Sequence, residues 1–557
     1  MPERRSAGFQ YVIVEATEGV SFDGKLGSLV PRWTVPDIAG TAAISFAGDG
    51  AETLAQIQEI VLASQIGNLA GYGPTDCPTR EKHWWLGDAQ VTAEEAMYNL
   101  FTPGVYELFA SEMRASQVIN TSSPYRGFIR GVVPADVEGP PKPHHDNSLL
   151  PGDISWTAAY PLTVNWMLLY YGDRAAVREH WEPLKAFVDG QRREMGPTDG
   201  VPSFFKWGDW CGPVENRSTA TAGTGPAAAA ANYILAVEAM VTMATAIGET
   251  ADAAAFSEEL AQWRTAYHHR FWDPSTSTYT PDQDEVQTLT TVSLGAGVVP
   301  EAHLGAAVKA VTDDIVGRGY HLTVGSVGQK WLLRELTANG EHDTALKLAT
   351  QTSYPSWGHW LAKGATTCWE NWSGVCDESH PGTPWPGRPG KYISENPPTH
   401  NHIFLCGGVG EWMHRSLGGI APASPGYATV SIAPQISKTE GPSAVNASVA
   451  TVRGLIKSSW VRGSARGPGA AVALELKVSV PVGCRAIVAV PLLGADPSHV
   501  RVQEVGGSGV ATLWAARDGD ADHPAWLLSD ARSVTAASGG SAVQLEVAAG
   551  EYHFQLL

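Results

Sequence analysis

Apolar positions along the chain change their period twice. From Glu52 they recur three and four residues apart, the spacing of one helix face. Leu54, Ile57 and Val61 open the series; Val177, Trp181 and Leu184, then Phe256, Leu260, Trp263, Tyr267 and Phe271, then Leu304, Val308, Val311 and Ile315 continue it. Pro226 heads an alanine-rich stretch that reaches Ile247 and stops at Gly248, the proline start and glycine stop of a helix. Pro183 predicts a break inside its stripe. The pattern gives roughly a dozen helices. No fixed repeat period accompanies them, which argues against a solenoid and leaves a bundle or a closed ring of hairpins.

On either side of this region the period is two. Segments 11–15, 33–35 and 42–46 carry β-branched and aromatic residues between turn formers. Near the other end, Val472, Leu474, Leu476, Val478 and Val480 alternate with Glu475, Lys477 and Ser479, and 486–490 and 543–547 behave alike, so a β-sandwich is expected. The chain therefore divides into a partial β segment at 1–46, a helical domain at 47–418 and a β-sandwich domain at 419–557. Three short strands cannot bury a core of their own. The first segment should pack on one of the other two domains or on a second subunit.

Composition narrows the classes. Within 557 residues the net charge is −19 and no basic cluster stands ready for phosphates, which excludes nucleic acid as a partner. No run of about twenty apolar residues offers a membrane span, and MPERRSAGFQ at the start lacks the apolar core of a signal peptide, so the chain as given reads as soluble with no membrane partner. Compartment and oligomeric state stay open; the sequons at Asn120, Asn216, Asn371 and Asn446 do not decide the former. Cysteines 77, 211, 368, 376, 406 and 484 show no CxxC spacing, so no zinc site is indicated, although one or two disulfides would fit. The 20 tryptophans point to ring-stacking surfaces or an aromatic core.

Those indoles gather with polar residues between the helices, at 152–156, 207–210, 354–357, 364–372 and 399–402. Several loops of one chemistry suggest convergence at one end of a ring. The densest stretch is 71–90, GYGPTDCPTREKHWWLGDAQ, with Asp76, Arg80, Glu81, Trp84, Trp85 and Asp88. Carboxylates and an arginine suit sugar hydroxyls, and indoles suit the apolar face of a sugar ring. The plain alternative is a helix start, with Asp76 as its cap and Pro78 in its first turn. His144, His145 and Asp146 have no further ligands at metal spacing, so neither metal nor cofactor is expected. Cys77 and Cys368 read as small buried residues.

The segment TDCPTREKHWWLGDAQ resembles the signature of the α-L-rhamnosidases of glycoside hydrolase family 78, and so do GDWC at 208–211, YPSWGHWL at 354–361, GATTCWENWSG at 364–374 and HNHIFLCGGVGEWMHRSLGGI at 400–420, in the family's order. The resemblance implies a mainly α fold, an (α/α)6 barrel followed by a C-terminal β-sandwich, and inverting release of a terminal α-L-rhamnose from a rhamnose-containing glycoside or oligosaccharide. It implies Glu81 as general acid, Glu370 as general base, Asp76, Arg80, Asp88 and His402 as contacts to sugar hydroxyls, and Trp85, Trp156 and Trp210 as indole walls. Inversion requires a protonated acid and an ionised base across the ring, about 6.5 to 9.5 Å apart. Two departures stand out. Only about fifty residues precede the barrel, where family members carry several β-domains, and a Pro-rich stretch, 376–398, lies between the base motif and His402.

Two other readings fit parts of this pattern. An unsaturated-uronide hydrolase or lyase on the same barrel should hold basic residues for the substrate carboxylate, whereas these clusters are acidic apart from Arg80. A catalytically silent sugar-binding protein would not need both Glu81 and Glu370.

Overall fold

The helical stripes form helices, and other helices, buried on every side, lie between them. The computed structural model describes residues 37–71, 73–78, 81–134, 152–195, 202, 205, 207–213, 224–280, 282–373, 399–463, 472–505, 510–512, 527–529, 532–535 and 540–557. Among these residues the ring of the helical domain is built from α1 (Ala51–Asn68), α2 (Leu86–Asn99), α3 (Pro103–Ala115), α4 (Ala159–Trp166), α5 (Arg174–Met195), α6 (Thr224–Ile247), α7 (Thr250–Phe271), α8 (Val286–Gly295), α9 (Glu301–Gly317), α10 (Ser326–Ala338), α11 (His342–Ala349) and α12 (Gly407–Trp412), with two short helices, Ile154–Thr157 and Trp357–Ala362, in the connections. The even-numbered helices are buried almost throughout, and each packs on the next, with α12 closing back on α2. The odd-numbered helices bury one face each and lie outside that ring. Six inner and six outer helices, alternating along the chain, make an (α/α)6 barrel.

This alternation explains two departures from the sequence reading. Helix α6 contains an apolar stretch, Gly225–Ile247, long enough to cross a membrane, contrary to expectation; it is an inner helix whose faces are covered by α4, α5, α7 and α8. Helix α5 runs through Pro183 without a break. Proline removes one backbone bond there, but Val177, Trp181 and Leu184 are buried on both sides of it, and the Pro183 carbonyl accepts a bond from Gln117 Nε2 at 2.9 Å.

Behind the barrel stand a seven-stranded and a five-stranded sheet. The alternation from 474 to 480 appears as strand Leu474–Val480, which buries Leu474, Leu476, Val478 and Val480. Strand Ala42–Gly48, the described part of the N-terminal segment, pairs antiparallel with Pro442–Thr451, with Ile44 opposite Ala447 and Phe46 opposite Val445. It is thus the edge of the C-terminal sheet and also contacts α1. The expected strands at 11–15 and 33–35 lie outside the described residues. Barrel and sandwich are joined by bonds from Tyr98 Oη to the Ile420 carbonyl and from Trp460 Nε1 to the Leu417 carbonyl, each 2.8 Å.

The ring is crossed by buried charge. Lys330 on α10 reaches Glu94 on α2 and Glu411 on α12, both at 2.7 Å. Arg415, just past α12, binds Glu94 at 3.0 Å and Glu411 at 2.5 Å, and Arg334 adds a contact to Glu411 at 3.2 Å. Burial pushes the Glu411 carboxyl up, but Lys330, Arg415 and Arg334 outweigh it and hold the group well below its ordinary value. Removing one member leaves the others charged and dry. Lys330→Met should therefore cost about 3 to 5 kcal/mol of unfolding free energy. Lys309→Ala, which removes an exposed pair with Asp313, should change it by less than about 0.5 kcal/mol. Urea denaturation of the two variants checks both values.

Candidate active site

The site lies at the end of the ring where outer helices hand over to inner ones. After α1 the chain turns through a two-residue hairpin, Leu69 opposite Pro74, with Gly71 at φ 75°. A side chain on Gly73 would collide with the Phe109 ring at 2.5 Å, so the hairpin lies tight on α3. Asp76 follows. No helix starts here, and Asp76 is no cap; its Oδ1 accepts the His83 amide at 2.8 Å, its Oδ2 accepts the Cys77 thiol at 3.0 Å, and its amide donates to the His83 carbonyl at 2.9 Å. These bonds close the loop that carries Glu81. Trp85 Nε1 donates to Glu81 Oε2 at 2.9 Å, and the loop is pinned to 131–133 by bonds from the Leu86 amide to Gly131 and from the Val133 amide to Trp84.

Asp88 stands in the first turn of α2, 2 % exposed, and Asp76 is 1 % exposed. His402 lies between them, with Nδ1 at 3.4 Å from Asp88 Oδ1 and Nε2 at 3.9 Å from Asp76 Oδ2. Burial, then the Glu81 charge, pushes the Asp76 carboxyl up to about 7. Burial, then the charges of Asp76, Glu81 and Glu370, pushes Asp88 well above the ordinary carboxylate range. Asp88 thus feels carboxyls from the loop before α2 and from the loop before α12. Burial also pushes the Cys77 thiol up to about 12, so it stays protonated beside Asp76.

Glu370, 2 % exposed, is held by the chain that leads to His402. Its amide donates to the Thr399 carbonyl at 3.0 Å, and its Oε2 accepts the Thr399 amide at 2.7 Å and the Thr399 hydroxyl at 3.1 Å. The His402 amide donates to the Cys368 carbonyl at 2.9 Å, and a disulfide joins Cys368 to Cys406. Cys368 is therefore a covalent tie between the two segments rather than a mere small core residue.

A group of indoles adjoins the acids through Trp85, which donates to Glu81. Trp85 meets Trp156 and Trp207 edge-on at 5.2 and 5.6 Å, Trp156 stacks on Trp207 at 5.3 Å, and Trp207 meets Trp210 edge-on at 5.2 Å. Such contacts suit aromatic quadrupoles. Gly87 permits this arrangement, since a Cβ there would lie 2.3 Å from the Trp156 ring. Asp153 fixes the group, with Oδ2 accepting the Trp207 amide at 2.7 Å and Oδ1 accepting the Ser155 amide at 2.9 Å. The Asp209 carboxylate accepts the amides of Gly325, Val327 and Gly328 at 2.7 to 2.9 Å, capping α10. Acids, imidazole and aromatic walls thus surround one end of the barrel, as binding and cleaving a neutral sugar would require.

The model of the bacterial α-L-rhamnosidase six-hairpin glycosidase domain matches residues 45–417 of this chain. The chain belongs to that family. Residues 419–505 match the bacterial α-L-rhamnosidase C-terminal domain. An α-L-rhamnosidase of Streptomyces avermitilis is 27% identical over 521 residues, covering 92% of this chain and 43% of the relative. One from Formosa agariphila is 28% identical over 415 residues, 73% of this chain and 40% of the relative. The chain thus spans less than half the length of these curated relatives. Among solved structures, the α-L-rhamnosidase from Dictyoglumus thermophilum superimposes with a TM-score of 0.73 at 25% identity, covering 93% of this chain and 50% of the other. That of Streptomyces avermitilis complexed with L-rhamnose gives 0.71 at 24% identity, covering 94% and 42%. The latter likeness concerns the fold.

Within this family fold, the residues singled out in the sequence fall into two joined groups. Asp76, Asp88 and His402 form the acid-imidazole group, with Glu81 and Glu370 both felt by Asp88. Trp85, Trp156 and Trp210 form the indole group, and Trp85 links it to Glu81. Arg80, the triplet His144, His145 and Asp146, and the stretch 376–398 lie outside the described residues. Sequence reasoning did not single out Trp207, Asp153 and Thr399, although all three stand in the polar-aromatic clusters.

The buried Asp76 carboxyl gives stability a sign with pH. Folded, it keeps its proton to about 7, whereas the unfolded chain releases it near the ordinary carboxyl value of 3.8. Between those values the folded state binds more protons, so this group's contribution to stability falls as pH rises and levels off above about 7. Asp76→Asn, which has no proton to lose, should gain on the wild type by a few kcal/mol (roughly) from pH 4 to pH 7. Urea denaturation at intervals across that range checks it, and a difference independent of pH would contradict the assignment.

Proposed function

We propose that this chain hydrolyses terminal α-L-rhamnosides with inversion, using Glu81 as general acid and Glu370 as general base. The observation that carries the reading is that two carboxyls from distant parts of the chain, Glu81 and Glu370, both lie near enough to Asp88 for their charges to raise its carboxyl. Family membership and the curated relatives named α-L-rhamnosidase support rhamnose as the sugar released.

In this mechanism the indoles of Trp85, Trp156, Trp207 and Trp210 offer apolar surface to the ring, and Asp76, Asp88 and His402 bind its hydroxyls. Arg80 is assigned to the same hydroxyls by family resemblance. Burial pushes the Asp88 carboxyl well above the ordinary carboxylate range, and when it carries its proton it can donate a hydrogen bond where an ionised carboxylate would only accept. Glu81 gives its proton to the glycosidic oxygen as the bond to the anomeric carbon breaks. Glu370 takes a proton from a water that attacks the opposite face, and one displacement completes the reaction. The acidic pocket disfavours a uronide, whose carboxylate would meet like charge among the described residues.

Release of p-nitrophenol from a panel of p-nitrophenyl glycosides tests the substrate class. The α-L-rhamnoside should be cleaved and EDTA should leave the rate unchanged; activity on the α-L-arabinofuranoside or β-D-glucoside alone would overturn the reading. Glu81→Gln tests the acid. It should lose about 100-fold or more on an alkyl rhamnoside, whose leaving group needs the proton, and far less on the aryl one. Equal losses would remove Glu81 from that role.

A further inference from the structure

Thr399 makes contacts with Glu370 that neither the family match nor the acid-base assignment accounts for. Its amide and its hydroxyl both donate to Glu370 Oε2, at 2.7 and 3.1 Å, while its carbonyl accepts the Glu370 amide at 3.0 Å. Three bonds therefore run between one residue pair, two of them to a single carboxyl oxygen. Thr399 is 6 % exposed and Glu370 2 % exposed, so water competes little for these bonds. Just beyond, the amide of His402 holds the Cys368 carbonyl, and the Cys368–Cys406 disulfide fixes the two segments to each other. The clasp has no freedom to slide.

We propose that Thr399 is a positioning residue for Glu370: its amide and hydroxyl together fix Oε2 and so set the orientation of the carboxylate in the pocket. The proposal rests on the reading of Glu370 as general base. Bonds from neutral donors to one oxygen stabilise the ionised form over the protonated form. A base must be ionised before it can activate water, and it must point at that water. Among the described residues, acids and imidazoles stand near this carboxyl. Asp88 feels Glu370 as it feels Asp76 and Glu81, while His402 lies on the Thr399 segment and His400 stacks on Trp369 at 4.5 Å.

The test compares wild type, Thr399→Ser and Thr399→Val in the full chain. Val removes the hydroxyl donor and keeps the amide and the shape; Ser keeps both donors. On an aryl α-L-rhamnoside, Thr399→Val should move the acidic limb of the kcat profile up by about one pH unit and lower plateau kcat about tenfold, with KM within about twofold. Thr399→Ser should restore most of both. The carboxyl is followed independently by 13C NMR of glutamate-labelled protein, its signal assigned by its loss in Glu370→Gln. Its titration should rise by the same amount in Thr399→Val, whether or not the substrate is cleaved. Should Val disturb folding, Thr399→Ala carries the same comparison. An unmoved carboxyl titration in a folded variant overturns the proposal. A carboxyl that moves while the rate profile does not supports the Thr399 contact and removes instead the reading of Glu370 as base.

Discussion

A network of three buried charges and two half-buried arginines ties three inner helices together. Glu94 on α2, Lys330 and Arg334 on α10, and Glu411 and Arg415 at the end of α12 are linked by contacts of 2.5 to 3.5 Å. An unpaired charge in that place costs several kcal/mol, so the three helices can slide past one another only at that cost. Asp88 lies six residues before Glu94 on α2, about 9 Å along the helix axis. Lys330 lies in the second turn of α10, whose first turn is capped by Asp209, and α12 follows directly on Cys406 of the disulfide. The register fixed by the charges is thus the register of the site.

The same arrangement explains why so many acids tolerate one pocket. Among the described residues Asp76, Asp88 and Glu370 are each nearly inaccessible and each has local support: Asp76 from the His83 amide and Cys77 thiol, Glu370 from Thr399, Asp88 from the first turn of α2. Raised protonation is the physical consequence of burying acids together. If the pocket binds a neutral sugar, as proposed, this is useful, since a protonated acid can donate as well as accept.

Much of this was legible in the sequence, for reasons that differ by element. Outer helices such as α7 and α9 showed one apolar face because solvent covers the other. Inner helices such as α2 and α8 show no such stripe, since Asp88, Gln90, Thr92, Glu94 and Glu95 are buried as fully as their apolar neighbours. Helix α6 was legible from the proline and glycine at its ends, Pro226 and Gly248, while its apolar run, broken only by small and polar residues, is long enough to cross a membrane because all its faces are packed. Residue type and motif context single out Glu81 and Glu370. They do not single out Thr399, because half of its contact is a backbone amide, which no residue type announces. The motif at 208–211 divides its work in a way spacing does not reveal: Trp210 joins the indoles while Asp209 caps α10. Which cysteines pair was equally hidden, since connectivity depends on where loops meet.

The central claim is that two carboxyls act across the sugar with a water between, so that one displacement replaces the glycosidic bond. The anomeric configuration of the first product tests this most directly. Proton NMR of the anomeric signal during the opening minutes of α-rhamnoside hydrolysis, before mutarotation, should show β-rhamnose first. Initial appearance of α-rhamnose would mean retention through a covalent intermediate, and would contradict the assignment of Glu370 as base.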